Sequence, residues 1–251
     1  MAFRDHLTDV TIHKGALSCI HGLLNHSISI EHQPFLASNI SESPGHSVAI
    51  NILSRDRLCS ALNVEPGELI DILGSSMNNP SKPVIIDDGP VLECHQNIPK
   101  LTELPIPWHY SQDRGRYMSA SIVIAEYAGV RNVSFHRQFL RDDNHVVARL
   151  VPRHLRSMVD AARSNNEEVP IAIVNGADPV VLLAAAMSFN EPLDELSVAS
   201  AMHRALFGRE LEVIKLENGI TVPADAEYIM QARITAEDAE EGPYVDITGT
   251  V

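Results

Sequence analysis

Short runs of apolar and β-branched residues, separated by turn residues, dominate the chain after Tyr117. Runs of this kind predict strands. They cover residues 118–126, 132–140, 146–151, 169–174, 211–216 and 226–234. Three helices are predicted between them, one opened by Pro152, one by Asp178-Pro179, and one over 193–206. The pattern therefore predicts a strand-rich domain that forms a barrel.

The first hundred residues have a different pattern of predicted elements, in which short strands alternate with helices. Residues 47–53 form an apolar run, and Pro66 stands at the predicted start of a helix. Prolines within 87–90 and 104–108 exclude a central strand and predict an ordered connecting loop. The sequence thus predicts a small α+β domain over 1–105 and a strand-rich domain over 106–251.

Composition and charge limit the classes of protein to which the chain can belong. The chain has 251 residues, 45% of them hydrophobic, and 19 basic against 33 acidic residues give a formal net charge of -14. Such a charge repels nucleic acid and anionic lipid, so neither is an expected partner. No apolar run reaches the roughly 18 residues that span a bilayer, and the first residues do not resemble a signal peptide. Together with three isolated cysteines, Cys19, Cys59 and Cys94, this predicts a cytoplasmic protein.

One charged residue falls on a predicted apolar strand face. Alternation from Asn132 places Val133, Phe135, Arg137 and Phe139 on the same side. A buried guanidinium without a partner costs several kcal/mol, so a carboxylate or a bound anion should face Arg137. The alternative is an edge strand from which Arg137 extends into water.

Arginine is concentrated in one stretch of this acidic chain. The residues are Arg131, Arg137, Arg141, Arg149, Arg153 and Arg156. Arginine binds phosphate and carboxylate groups through paired hydrogen bonds, and the helix predicted after Pro152 adds the positive end of its dipole. The stretch fits an anion-binding site, but a solvated basic face paired with the surplus acids gives the same pattern.

Three carboxylates in the last part of the chain are candidates for chemistry. Glu217 precedes Asn218-Gly219, a common hairpin turn, so it also fits a surface position. A Gly-Pro bend after Glu241 brings this residue and Asp246 towards one site. The spacing by itself leaves the role of all three open.

Several separate segments, in one order, resemble the UbiD family of decarboxylases over roughly residues 45–251. They are KPVIIDDGPV at 82–91, LPIPWH at 104–109, DRGRYM at 113–118, RNVSFHR at 131–137, PRH at 152–154, GADP at 176–179, EVIKLE at 212–217, VPADAE at 222–227 and EGPY at 241–244. The resemblance implies an N-terminal α+β domain followed by a split β-barrel related to flavin reductases. The overall class implied is α+β.

The resemblance also implies a cofactor, prenylated FMN, whose phosphate is held through a divalent metal with K⁺ beside it. The implied metal ligands are Asn132, His154 and Glu217. This mixed set with two oxygen ligands suits Mn²⁺ or Mg²⁺ better than zinc. The other cofactor-binding residues that the family implies are Phe135, Arg137, Arg153, Ala185, Ala186 and Met187.

Arg137, Glu241 and Asp246 match the family's trio beside the reactive face of the flavin. By resemblance, Arg137 holds the substrate carboxylate and pairs with Glu241, and Asp246 delivers a proton to the carbon that CO₂ leaves. The implied activity is non-oxidative decarboxylation of an aromatic or α,β-unsaturated acid, with the reverse reaction open. A flavin prenyltransferase would supply the cofactor, and the sequence does not identify the acid.

Three departures from the family pattern affect this interpretation. Val245 replaces the usual glycine, and Asp246 is the shorter of the two permitted acids, so the reach of the acid changes. Asn132 and Arg137 have opposite strand parity, which predicts a strand end or a bulge between them. The chain ends at Val251, where family members continue into a C-terminal domain. This predicts a fragment, a cleaved chain or one subunit of a hetero-complex, with a homo-oligomer as the other expected assembly.

Two further functions stay open on the sequence alone. One is a scaffold subunit that carries the cofactor and is inactive without a partner. The other is an ordinary flavin reductase on the same barrel. The combination of Arg137, Glu241 and Asp246 favours the decarboxylase, because neither alternative needs all three.

Overall fold

The computed structural model describes residues 3–96, 100–188 and 193–246. Its first part contains β1 (Thr11–His13), α1 (Gly22–Ser29), β2 (Phe35–Ala37), β3 (Val48–Ile50), α2 (Arg55–Leu62), α3 (Pro66–Asn78) and β4 (Val84–Ile85). In one sheet, β2 pairs parallel with β1 and antiparallel with β3. Helix α3 begins at Pro66 as predicted, with Glu65 and Glu68 forming a capping box.

The second part contains every strand and helix that the sequence predicted. The strands are β5 (Tyr117–Met118), β6 (Ile122–Tyr127), β7 (Val130–Phe135), β8 (Gln138–Leu140), β9 (Val146–Ala148), β10 (Val169–Asn175), β11 (Glu212–Lys215), β12 (Thr221–Pro223) and β13 (Tyr228–Ile234). The helices are α4 (His154–Ser164), α5 (Pro179–Ala186) and α6 (Glu195–Phe207). Capping residues and prolines in the sequence predicted where these helices begin. In α5, for example, the Asp178 carboxylate accepts a hydrogen bond from the N–H of Val180.

The central sheet has the order β13-β10-β6-β7, and its middle strands β10 and β6 are largely buried on both faces. Side chains such as Ile124 and Ala172 pack on one face against α5, α6 and β11. Ala125 and Ile171 pack on the other face against α4. Two helical layers therefore enclose the sheet and leave β7 as one of its edge strands.

The α+β class is confirmed, but no closed barrel forms within the residues that the structure describes. The strands after Tyr117 lie in three separate sheets, of which the other two have the orders β5-β8-β9 and β12-β11-β4. Residues 119–121 and 136–137 interrupt the strands predicted over 118–126 and 132–140, so β5 and β8 leave the sheet that β6 and β7 continue.

The division near residue 105 remains a prediction. Strand β4 precedes it and pairs parallel with β11, which follows it. Cys59, Leu62 and Leu69 of α2 and α3 pack in one cluster with Val180 and Met202 of the second part. In the described part of the chain, no helix is both long and apolar enough to cross a membrane.

Candidate active site

Arg137 and Glu241 form an ion pair with two hydrogen bonds. The Arg137 Nε–Glu241 Oε1 distance is 2.9 Å, and the Nη2–Oε2 distance is 2.8 Å. The Arg137 side chain is 22% exposed and that of Glu241 9%. The predicted pairing of a largely buried arginine is therefore confirmed, in the paired geometry that makes guanidinium–carboxylate contacts strong.

The reason given for the burial of Arg137 was wrong in part. Strand β7 ends at Phe135, whose side chain is 38% exposed, so Arg137 does not lie on one continuous apolar face. The residues that cover it come from the 241–244 segment, where its guanidinium also lies 4.7 Å from the centre of the Tyr244 ring. The strand end predicted between Asn132 and Arg137 is present, since 136 and 137 belong to no strand.

The 241–245 segment is fixed by the loop that precedes β5. The Asp113 carboxylate, in a residue only 5% exposed, accepts a hydrogen bond of 2.7 Å from the N–H of Val245. The N–H of Arg114 donates to the carbonyl of Pro243 at 2.8 Å. Two of the motifs that carry the family resemblance, at 113–118 and 241–244, thus bind each other.

The hydroxyl of Tyr117 also holds the 241–245 segment in place. It donates to the Pro243 carbonyl at 3.3 Å and accepts from the N–H of Gly242 at 3.2 Å. Burial, with the negative charge of Glu241 adding to it, raises the pKa of Tyr117 to about 12. The hydroxyl therefore stays protonated at neutral pH. Gly242 has φ 98°, a left-handed conformation that favours glycine at this bend.

A cavity of about 370 Å³ opens beside the Arg137–Glu241 pair. It is lined by Arg137, Arg149, Glu241, Gly242, Pro243, Tyr244 and Asp246. All three residues predicted to be catalytic therefore line one cavity, with Asp246 half-buried. Arg149 was not predicted as a site residue, although the arginine-rich stretch contained the signal.

Next to this cavity, a chain of hydrogen bonds runs along β7. The Asn132 Nδ2 donates to Glu195 Oε1 at 3.2 Å, and the Ser134 hydroxyl donates to Asn132 Oδ1 at 2.8 Å. The His136 Nε2 lies 2.9 Å from the same hydroxyl, and its Nδ1 lies 3.1 Å from the Arg149 carbonyl. Burial lowers the pKa of His136. These contacts fix the side chain of Asn132 and connect it to the cavity.

Glu195 is a site candidate that the sequence interpretation missed. It is 3% exposed, lies in the first turn of α6, and also accepts a hydrogen bond of 3.0 Å from the N–H of Val133. Burial raises its pKa to about 7, and the nearby charge of Asp194 adds to the shift. No basic side chain of the described residues forms an ion pair with it. A buried carboxylate that contacts an amide is chemistry suited to a hard divalent cation.

Comparison with known proteins assigns the family. Residues 83–251 match the UbiD domain described as the 3-octaprenyl-4-hydroxybenzoate carboxy-lyase Rift-related domain. The chain belongs to the UbiD family.

Its curated UbiD relatives include two anhydromevalonate phosphate decarboxylases. The one from Methanosarcina mazei is 39% identical over 221 residues, covering 86% of this chain and 50% of the relative. The one from Methanocaldococcus jannaschii is 33% identical over 219 residues, covering 84% and 50%. The chain thus spans about half the length of the curated relatives it matches.

Among solved structures, the chain resembles the UbiD-class enzyme HmfF from Pelotomaculum thermopropionicum in an evolved dimeric form bound to prFMN. The TM-score is 0.91 at 26% identity, over 99% of this chain and 61% of that one. A complex of HmfF with FMN has the same TM-score of 0.91. The UbiD fold is therefore present over nearly the whole chain.

The two other predicted metal ligands lie on other elements. His154 is the first residue of α4 and is half-buried, whereas Glu217 is exposed in the turn between β11 and β12. No hydrogen bond or ion pair joins either side chain to Asn132 within the described residues. These residues also contain no group of three or more His, Cys, Asp or Glu side chains that could hold a metal. The predicted ligands Asn132, His154 and Glu217 include only two residues of these four types. The absence of such a group therefore does not test them, and the set remains a prediction.

The predicted flavin-packing residues lie around α5, which packs against β7. Ala185 is buried, Ala186 is exposed and Met187 is half-buried. Arg153 Nη1 donates to the Ser188 hydroxyl at 3.0 Å, which brings the segment before α4 next to the end of α5. The structure therefore brings the family motifs at 152–154 and 176–187 to one region.

Proposed function

We propose that the protein containing this chain is a UbiD-type decarboxylase that removes CO₂ from a small aromatic or α,β-unsaturated acid with the aid of prenylated FMN. The observation that carries the proposal is the Arg137–Glu241 pair, which shares one cavity with Asp246. A residue set of one fixed cation and two acids suits binding of a carboxylate and delivery of a proton.

Each of the three side chains has a part in this reaction. Glu241 occupies Nε and Nη2 of Arg137, which leaves Nη1 to donate to the substrate carboxylate. Asp246 protonates the carbon that CO₂ leaves, and exclusion of water around it favours this step because burial raises the pKa of a carboxyl group. Prenylated FMN, when bound, supplies the electron sink for the cleavage.

The residues beside β7 fit a divalent metal that holds the cofactor phosphate. Asn132 and His154 are two of its ligands in this proposal, and K⁺ lies beside the metal. The resemblance named Glu217 as the carboxylate ligand, but the contact between Asn132 and the buried Glu195 favours Glu195 in that position. Oxygen ligands of this kind suit Mn²⁺ or Mg²⁺.

The flavin itself is proposed to pack against Phe135 and against Ala185, Ala186 and Met187, with Arg153 near its phosphate. In this proposal the sheets after Tyr117 correspond to the family's split barrel. The remainder of the protein or a partner chain closes the site, and a flavin prenyltransferase supplies the cofactor.

Production of the full-length protein with and without a flavin prenyltransferase tests the proposal. Only the co-produced protein should carry the absorption spectrum of a modified flavin and release CO₂ from a suitable acid. The names of the relatives make anhydromevalonate phosphate the first acid to test. Arg137→Ala should abolish CO₂ release. Flavin binding without CO₂ release from any acid of this class would favour a scaffold subunit, and oxidation of a nicotinamide would favour a flavin reductase.

A further inference from the structure

We propose that Arg149 binds an oxyanion of the substrate and so determines which acids the site accepts. The inference rests on the proposed function of the 370 Å³ cavity as the substrate site. It concerns a residue outside the trio of Arg137, Glu241 and Asp246.

The position of Arg149 follows from the pairing of β8 with β9. Gln138 pairs with Ala148, and the N–H of Arg149 donates to the carbonyl of Arg137 at 3.3 Å, so Arg137 and Arg149 are the next opposed pair. Side chains of directly opposed residues lie on the same face, about 5 Å apart at Cβ, and like charges there repel each other. Two arginines in this arrangement favour an anion between or beside them.

Only one of the two has an anion in the described structure. Glu241 binds Arg137 through two hydrogen bonds, whereas the guanidinium of Arg149 makes no hydrogen bond or ion pair with any described residue. The other arginines of the stretch all have described side-chain partners. Arg131 pairs with Asp194 and Glu126, Arg141 with Glu237, Arg153 with Ser188 and Arg156 with Asp160. Arg149 is therefore the cation of this stretch that retains its full capacity to bind an anion.

The backbone of Arg149 is fixed although its side chain is not. Its N–H binds the Arg137 carbonyl, and its own carbonyl lies 3.1 Å from His136 Nδ1. The Arg149 side chain is exposed and lines the cavity from this fixed backbone. Its planar set of N–H donors matches a carboxylate or a phosphate.

Charge also favours this role. Arg137 and Glu241 neutralise each other, so Arg149 carries the remaining positive charge that lines the cavity. An anionic substrate group is attracted to Arg149, which orients the substrate. The oxyanion is either the carboxylate that leaves as CO₂ or a second anionic group such as a phosphate.

Titration calorimetry with inorganic phosphate and with acetate tests the proposal in full-length protein saturated with FMN, which fills the site of the cofactor phosphate. Arg149→Gln should weaken binding of at least one probe by about tenfold or more, the effect expected on loss of a charge-assisted contact. Arg149→Lys should retain part of the affinity. Arg156→Gln, on the exposed face of α4, is the matched control and should bind as wild type.

The two probes distinguish the source of the oxyanion. Preference for phosphate at Arg149 indicates a phosphorylated substrate, and equal or better binding of acetate indicates a carboxylate. Unchanged binding of both probes by a folded Arg149→Gln variant overturns the proposal. Arg149→Met removes the charge in the same way if the glutamine variant is unstable.

This result is independent of the decarboxylase assay. If the protein binds the probes through Arg149 but releases no CO₂ from any acid, the proposed function fails and the anion site stands. If it releases CO₂ while Arg149→Gln binds both probes normally, only the role of Arg149 fails.

Discussion

The side-chain amide of Asn132 donates a hydrogen bond of 3.2 Å to the carboxylate of Glu195, 63 residues further along the chain. The contact joins the edge strand β7 to the first turn of α6. Because Glu195 is buried without a basic partner among the described residues, this pair has the chemistry of a metal site.

Glu195 and Glu217 can be compared directly as metal ligands. We expect Glu195→Gln to lower Mn²⁺ affinity by at least about tenfold and to weaken flavin retention, because a neutral amide replaces a charged ligand. Glu217→Gln is the matched control. Metal content by elemental analysis and flavin content by absorbance give the readout. Loss of metal in Glu217→Gln with normal metal in Glu195→Gln would support the original assignment instead.

Breaking the Arg137–Glu241 pair should destabilise the fold. Arg137→Met leaves the Glu241 carboxylate, 9% exposed, without its cation, at an expected cost of about 3 kcal/mol in the free energy of unfolding. The double variant Arg137→Met/Glu241→Met should lose less than Arg137→Met, because no unpaired charge stays buried. Urea unfolding measures both. A double variant that is less stable than either single variant would show that the unpaired charge is not the cause of the loss.

Asp246→Asn should lower CO₂ release by about 100-fold or more and leave flavin bound, because an amide cannot deliver the proton. The assay uses full-length protein loaded with prenylated FMN, and the flavin absorbance provides the control for cofactor binding. An active Asp246→Asn variant would show that another group supplies the proton, and Glu241 is then the next residue to test.

Cys19 should make stability depend on pH in the alkaline range. The thiol is 1% exposed, and burial, with the charge of Glu42 adding to it, raises its pKa from 9.0 to about 11. The unfolded chain therefore ionises first, so this stabilisation is complete below pH 9.0 and is lost as the pH rises through about 11. The free energy of unfolding should fall by about 2 kcal/mol more in wild type than in Cys19→Ala between pH 8 and pH 11. Equal losses in the two proteins would refute this.

The sequence by itself determined the local structure and part of the site. Proline at the first position of α3, the Asp178 cap of α5 and the β-branched runs specify where elements begin, since these signals act over a few residues. The cost of an unpaired buried charge also predicted a carboxylate or a bound anion facing Arg137, and the family motifs identified Glu241 as its partner.

Only the tertiary structure decided which distant side chains meet. Pairing of β8 with β9 places Arg149 opposite Arg137, and packing of α6 beside β7 brings Glu195 to Asn132. The same packing leaves Glu217 in an exposed turn. The first contact depends on the register of the β8–β9 hairpin, and the other two positions depend on how α6 and the strands pack, which is decided by contacts between elements distant in sequence.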